Sequence, residues 1–185
     1  IEEIRRLEPT HHDVLGDGIL ELTDIKSDPY PGASVVPSHC RATYDRRLLT
    51  GETKESVLAP LQALADRLMA EDPNMKIKVS YAVGEEVCYT GDTIRGERFF
   101  PGWLYSREEG FVQDVLSQLE SMGFQPEITQ YNFCTNGSHY AGEAGIRTLG
   151  IGPSRENLAH TIDEYIELEQ LFLACESDQA SATTA

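Results

Sequence analysis

The sequence predicts a mixed α/β chain in two parts, and three observations predict it. Apolar residues alternate with polar ones in short runs and recur at helical spacing in longer runs, and Gly- and Pro-rich turns separate the runs. The 185 residues are 40% apolar and 25% charged, the composition of an ordinary globular protein. That length suits one domain or two small ones. Disorder throughout, collagen-like repeats and a disulfide scaffold are excluded on the same grounds.

The first part opens with Ile1–Leu7, which reads as the end of an amphipathic helix, so the chain is expected to begin inside a larger protein. Gly18–Ser27 is rich in β-formers, and Asp28-Pro29-Tyr30-Pro31-Gly32 is a turn. The run Val35–Arg47 reads as the next strand. Cys40, Ala42 and Tyr44 fall on one face, with Arg41, Thr43, Asp45 and Arg47 on the other. Lys54–Glu71 carries Val57, Leu58, Leu61, Leu64, Ala65, Leu68 and Met69 at the spacing of one buried helical stripe. Pro60 is expected to mark a first turn or a kink. Ile77, Val79, Tyr81 and Val83 alternate as a further half-buried strand. Helix end, strand, strand, helix, strand is the order of a β-α-β-β-α-β (ferredoxin-like) sandwich lacking its first strand, assigned to residues 1–90.

Tyr89–Trp103 is Gly-rich and reads as a crossing between domains. The second part, 91–176, is read as α/β. A helix over Arg107–Met122 buries Phe111, Val112, Val115, Leu116 and Leu119, with Gly123 as its stop. A strand at Glu127–Phe133, a short helix at Ser138–Gly145, a strand at Ile146–Ile151 and a final helix with Leu168, Leu171, Phe172 and Cys175 follow. Residues 177–185 are small and polar and read as a disordered tail. Two parallel strands would put the Cys134-Thr135-Asn136-Gly137 loop and the Gly152–Thr161 loop at one carboxyl edge, where open α/β sheets bind ligands.

Charge narrows the partners. With 15 Lys+Arg against 31 Asp+Glu the net charge is −16, which argues against nucleic acid and anionic membrane surfaces. No apolar run reaches the roughly 18 residues of a membrane span. Cys40, Cys88, Cys134 and Cys175 lie far apart without a C-x-x-C pair, so reduced thiols in a cytoplasmic protein are expected. His160, in the second loop, could serve a metal or an oxyanion, the plainer reading being a surface residue. Asp45 and Arg47 share a strand face. A carboxylate there can hold the guanidinium fork for capture of a substrate carboxylate, or the two form an ordinary surface ion pair.

Taken in order, Ser34-Val35-Val36-Pro37, Asp45-Arg46-Arg47 and Gly51-Glu52-Thr53 resemble the lid-domain signature of the zinc-dependent aminoacylase, acetylornithine deacetylase and succinyl-diaminopimelate desuccinylase family of metallopeptidases. That signature is Asn-Val-x-Pro followed ten residues later by the Arg of Asp-x-Arg, and Pro37 to Arg47 keeps the interval. Cys134-Thr135-Asn136-Gly137 resembles the family's Gly/Ser-Thr-Asp-Gly loop. Gly152-Pro153, then Ala159-His160 and Glu164-Tyr165-Ile166, resembles its Gly-Pro…Ala-His…Glu-x-Val ending. Ser34, Asn136 and Cys134 depart from the residues usual at their positions.

The resemblance implies a dimerisation lid followed by the C-terminal portion of a catalytic α/β domain. It makes His160 a metal ligand (zinc, with cobalt or manganese possible) and Arg47 the grip on a substrate carboxylate. Ser34, Cys134, Thr135, Asn136 and Gly137 then contact the substrate, an N-acyl amino acid or small peptide, and the chains pair as a homodimer through the lid. Metal-bound water attacking an amide, with a Glu as general base, is the implied chemistry. No catalytic residue is assigned within the chain. His11-His12-Asp13, Glu2-Glu3, Glu85-Glu86 and Glu108-Glu109 read as surface charge, so the general-base Glu and remaining ligands are expected upstream of Ile1. The chain alone is then expected to be inactive. The competing reading is a non-enzymatic ferredoxin-like module for dimerisation or small-molecule sensing.

Overall fold

Strand β4, His39–Arg47, is the longest regular partner of β3, Ile19–Asp28, and the two form the antiparallel hairpin around which the first unit is built. The computed structural model describes residues 1–182, with side chains described through Asp178. Two compact units divide the chain, Ile1–Gly102 and a second that begins at Trp103. In the first, α1 (Glu2–Arg5), the short pair β1 (His11–His12) and β2 (Gly16–Asp17), β3, β4 and α2 (Lys54–Glu71) follow in order. The antiparallel hairpin of β5 (Val83–Val87) and β6 (Thr93–Glu97) completes it.

The register of β3 on β4 pairs Ile19 with Arg47 and Asp28 with His39, with a bulge between Leu22 and Asp24. The bulge leaves Thr23 outside the ladder, and its hydroxyl donates to the Thr43 carbonyl at 3.2 Å. Helix α2 forms where the stripe predicts it. Thr53 and Ser56 close a capping box at its start, each side chain bonding the other's backbone N–H. Helix α2 runs unbroken through Pro60. Val57, Leu64 and Ala65 are buried on its striped face and form a core with the buried Leu49.

The second unit holds α3 (Gly110–Ser121) and α4 (Leu168–Ala182), which pack together, with a π-helical turn at Ser138–Glu143 and a 3₁₀ turn at Glu156–Leu158. Val112 and Leu119 of α3 are its buried apolar side chains among the described residues. Gly123 ends α3 in the left-handed region at φ +93°. Gly123 N–H donates to Glu120 O and Phe124 N–H to Leu119 O, the paired bonds of a Schellman stop.

Four expectations change. Residues 77–82, 127–133 and 146–151 are not strands, because none finds a ladder partner among the described residues and an unpaired strand leaves its backbone groups unsatisfied. Ile77, Val79 and Tyr81 nevertheless keep their alternating half-burial. The described part of the second unit is therefore helical and irregular instead of βαβ. The stretch expected as an irregular crossing contains β6, and the unit boundary falls at Gly102. Lys54 holds Glu97 at 2.8 Å, and Thr50 bridges Gly102, so the hairpin folds back on the first unit. Finally, Ser177 is buried in α4, which continues to Ala182 where a disordered tail is expected. Positions 183–185 of that tail lie outside the described residues.

Candidate functional site

Strand β4 ends by presenting two arginines to opposite faces, as alternation requires. Arg47 Nη2 donates to Asp45 Oδ2 at 2.9 Å, and the two side chains are 38% and 44% exposed. The carboxylate two residues back holds the fork while leaving it within reach of solute, the arrangement expected from the shared strand face.

Arg46 turns the other way. Its Nη2 meets Glu52 Oε1 at 2.5 Å, with side chains 19% and 10% exposed. Glu52 Oε1 also accepts from Thr10 Oγ1 at 3.1 Å, and Oε2 accepts from Leu49 N–H at 2.7 Å. Nothing in the hydrophobic pattern marks this hub. Its sequence signal is the alternation itself, which makes one arginine of an adjacent pair face inward, where it needs a carboxylate.

Ser34 sits in the connection between β3 and β4, exposed, beside the Val35 N–H that donates to Gly32 O at 2.7 Å. The length of β4 separates that connection from Arg47, roughly 25 Å at about 3.3 Å per residue. Within one chain Ser34 and Arg47 do not converge.

In the second unit, Cys134, Thr135 and Asn136 are exposed and Gly137 is buried. Thr135 Oγ1 accepts from Gly137 N–H at 3.1 Å, and Cys134 Sγ lies 3.8 Å from Ser138 Oγ. A Cβ on Gly137 would stand 2.7 Å from Cζ2 of Trp103, so only glycine lets this loop lie on the indole. His160 is exposed, at φ +60°, and its N–H donates to Glu164 Oε2 at 3.0 Å. The second loop is tied to the chain just upstream of the first, where Asn132 N–H donates to Glu156 Oε1 at 2.7 Å. Gly150 likewise lies against the Tyr131 ring. The segments expected at one sheet edge are thus neighbours through side chains instead of a ladder.

Among the described residues no three His, Cys, Asp or Glu side chains are grouped to hold a metal ion. One imidazole falls short of the three or four protein ligands zinc takes, so the described residues do not by themselves fit a metal, and no step is routed through one. All four cysteines are free. His11, Glu85, Glu86, Glu108 and Glu109 are exposed, as expected of surface charge. Glu3 differs. It accepts from Arg67 Nη2 at 2.7 Å and pairs with Arg6, and the Arg67 bond holds its carboxyl below the usual range. Burial pushes the hydroxyls of Tyr44, on β4, and Tyr81 up. No helix among the described residues is long and apolar enough to cross a membrane.

The fold is α+β with small antiparallel sheets, and residues 3–73, which hold β1 through α2 and most of α1, match the Peptidase dimerisation domain of the M20 type. The chain is also similar to Uncharacterized protein YgeY of Escherichia coli K12, 30% identical over 155 residues. The protein of the same name from Escherichia coli O157:H7 matches to the same degree. That alignment covers 83% of this chain and 37% of YgeY, so the chain spans well under half the length of the curated relatives it matches. No solved structure matches.

Proposed function

We propose that this chain is the dimerisation lid and the C-terminal part of the catalytic domain of a metal-dependent amidohydrolase or peptidase. Its substrate in this reading is the linear amide of an N-acyl amino acid or small peptide, as in the aminoacylases and deacetylases. The observation that carries the reading is the match of residues 3–73 to a peptidase dimerisation domain, with the Asp45-held Arg47 inside that span. A guanidinium offers five N–H donors in a planar fork. Asp45 engages Nη2, and the remaining donors grip and orient the substrate carboxylate.

Cys134, Thr135, Asn136 and Gly137 line the substrate pocket, and Ser34, too far from Arg47 within one chain, contributes from the β3–β4 connection of the second copy. His160 is one ligand of a metal centre (zinc, with cobalt or manganese as alternatives) whose other ligands are not grouped among the described residues. The chain alone is therefore inactive and binds zinc weakly, and tight stoichiometric zinc in the purified chain would contradict this.

The lid pairs two copies of the chain as a homodimer, and β3, β4 and α2 are parts of its ferredoxin-like layout. Free, widely spaced cysteines support a cytoplasmic setting. The non-enzymatic module draws on the same match, since a dimerisation domain needs no catalytic residue. Reading the gene upstream of Ile1 separates the two. A His-x-Asp on an apolar strand followed by a Glu-Glu pair supports the hydrolase, and an unrelated domain overturns it.

A further inference from the structure

Glu52 holds the chain on both sides of Arg47. Its Oε1 meets Arg46, the residue before, at 2.5 Å, and its Oε2 accepts the N–H of Leu49, two residues after, at 2.7 Å. The backbone N–H of Glu52 donates back to Leu49 O at 3.3 Å, and Gly51 makes the tight return possible at φ +83°. Residues 49–52 are thus closed by one bond from the main chain and one from the side chain. Glu52 is itself fixed, because the next residue, Thr53, is the capped start of α2. Thr10 Oγ1, donating at 3.1 Å, adds a tie to the segment before β3.

Arg47 lies in the middle of this frame. Its backbone is paired with Ile19 and its fork is held by Asp45. We propose that Glu52 is the positioning residue for Arg47: it touches no substrate, and by fixing Arg46 on one face and Leu49 beyond, it sets where the Arg47 guanidinium is presented on the other. Removing it frees the end of β4 to pivot, and Asp45 alone cannot hold a fork whose backbone moves. A misplacement of about 1 Å is enough to spoil bidentate capture. The inference rests on the reading of Arg47 as the carboxylate grip.

The test is side-chain NMR of the isotope-labelled 185-residue chain, following the Arg47 Nε–Hε group in wild type, Glu52→Gln and Glu52→Asp. Glu52→Gln is expected to make that group mobile and speed its exchange with water about tenfold, while Nε–Hε of Arg67 on α2 stays unchanged. Glu52→Asp keeps the charge but is one methylene short. It is expected to move Arg47 in the same direction by less, and it carries the test if Glu52→Gln does not fold. An Arg47 group that stays ordered while Arg46 is released in either variant overturns the proposal, because Glu52 would then only stabilise the fold.

Titration with N-acetyl-L-alanine and with its carboxamide separates this from the reading beneath it. The acid is expected to shift Arg47 Nε–Hε in wild type about tenfold more tightly than in Glu52→Gln, and the carboxamide is expected to shift neither. If neither compound touches Arg47 in wild type and Glu52→Gln still mobilises it, the positioning stands and the carboxylate grip falls.

Discussion

The guanidinium of Arg46 and the carboxylate of Glu52 meet at 2.5 Å with side chains 19% and 10% exposed, the most buried ion pair among the described residues. Breaking a fully buried pair costs about 3–5 kcal/mol because the remaining charge loses its partner. Residual exposure here lowers the figure. Arg46→Ala is expected to cost about 2 kcal/mol, measured by urea unfolding. Glu52→Ala should cost more, since it also orphans the Leu49 N–H and the Thr10 hydroxyl. The double variant should fall well short of the sum. Additive losses would show that the two groups do not interact.

Thr53 sets the first turn of α2 by accepting from Ser56 N–H at 3.1 Å while Ser56 Oγ accepts from Thr53 N–H at 2.9 Å. Thr53→Ala is expected to lower stability by about 1 kcal/mol, and Thr53→Gly by less than Thr53→Ala. Thermal unfolding followed by far-ultraviolet circular dichroism measures both. Equal stability of Thr53→Ala and wild type would contradict the cap.

Tyr44 presents a buried hydroxyl oxygen with no hydrogen-bond partner among the described residues, and burial pushes its pKa up against a smaller opposing effect of Arg5. Below pH 10 the hydroxyl is neutral in both folded and unfolded chains, so it gives no pH dependence. As pH rises through the unfolded value of about 10, the unfolded chain ionises first and stability falls until the higher folded value is passed. Tyr44→Phe is expected to flatten that alkaline decline and to leave stability at pH 7 unchanged or higher, since an unpartnered buried hydroxyl is a cost. A loss of more than about 1 kcal/mol at pH 7 would mean the hydroxyl has a partner. Tyr81 shifts the same way and remains in the variant, so the decline is reduced and not abolished.

Gly137 lies on the only tryptophan of the chain, which makes its environment directly readable. Gly137→Ala places a methyl 2.7 Å from the Trp103 ring, so loop or indole must shift at a cost of about 1–3 kcal/mol. The expected outcome is a changed Trp103 emission maximum with a lowered unfolding midpoint. Unchanged emission would show that the Cys134–Gly137 loop does not rest on the indole.

Local pattern carried further in this chain than long-range pairing. The Lys54–Glu71 stripe marks α2 to its ends, because apolar spacing and the Thr53 cap act within the helix itself. The strand alternation likewise pairs Asp45 with Arg47 correctly, two residues apart on one face. Strands are different, since Ile146–Ile151 or Ile77–Tyr81 can be β-forming in composition and still find no partner among the described residues to complete the ladder. The Arg46–Glu52 hub escaped the pattern because it depends on a turn bringing residue 52 back to residue 46. Ser34 and Arg47 fall in one short motif, yet the strand between them holds them at opposite ends of a hairpin. Sequence proximity in a strand is distance in space.

Hydrolysis of N-acyl amino acids by the product of the complete reading frame tests the central claim most directly, compared among wild type, His160→Ala and Arg47→Ala with and without a chelator. The account predicts chelator-sensitive amide hydrolysis that His160→Ala abolishes, and an Arg47→Ala variant whose KM rises at least tenfold for free acids but not for their amides. Full activity in His160→Ala, or equal KM for acid and amide in wild type, would contradict it.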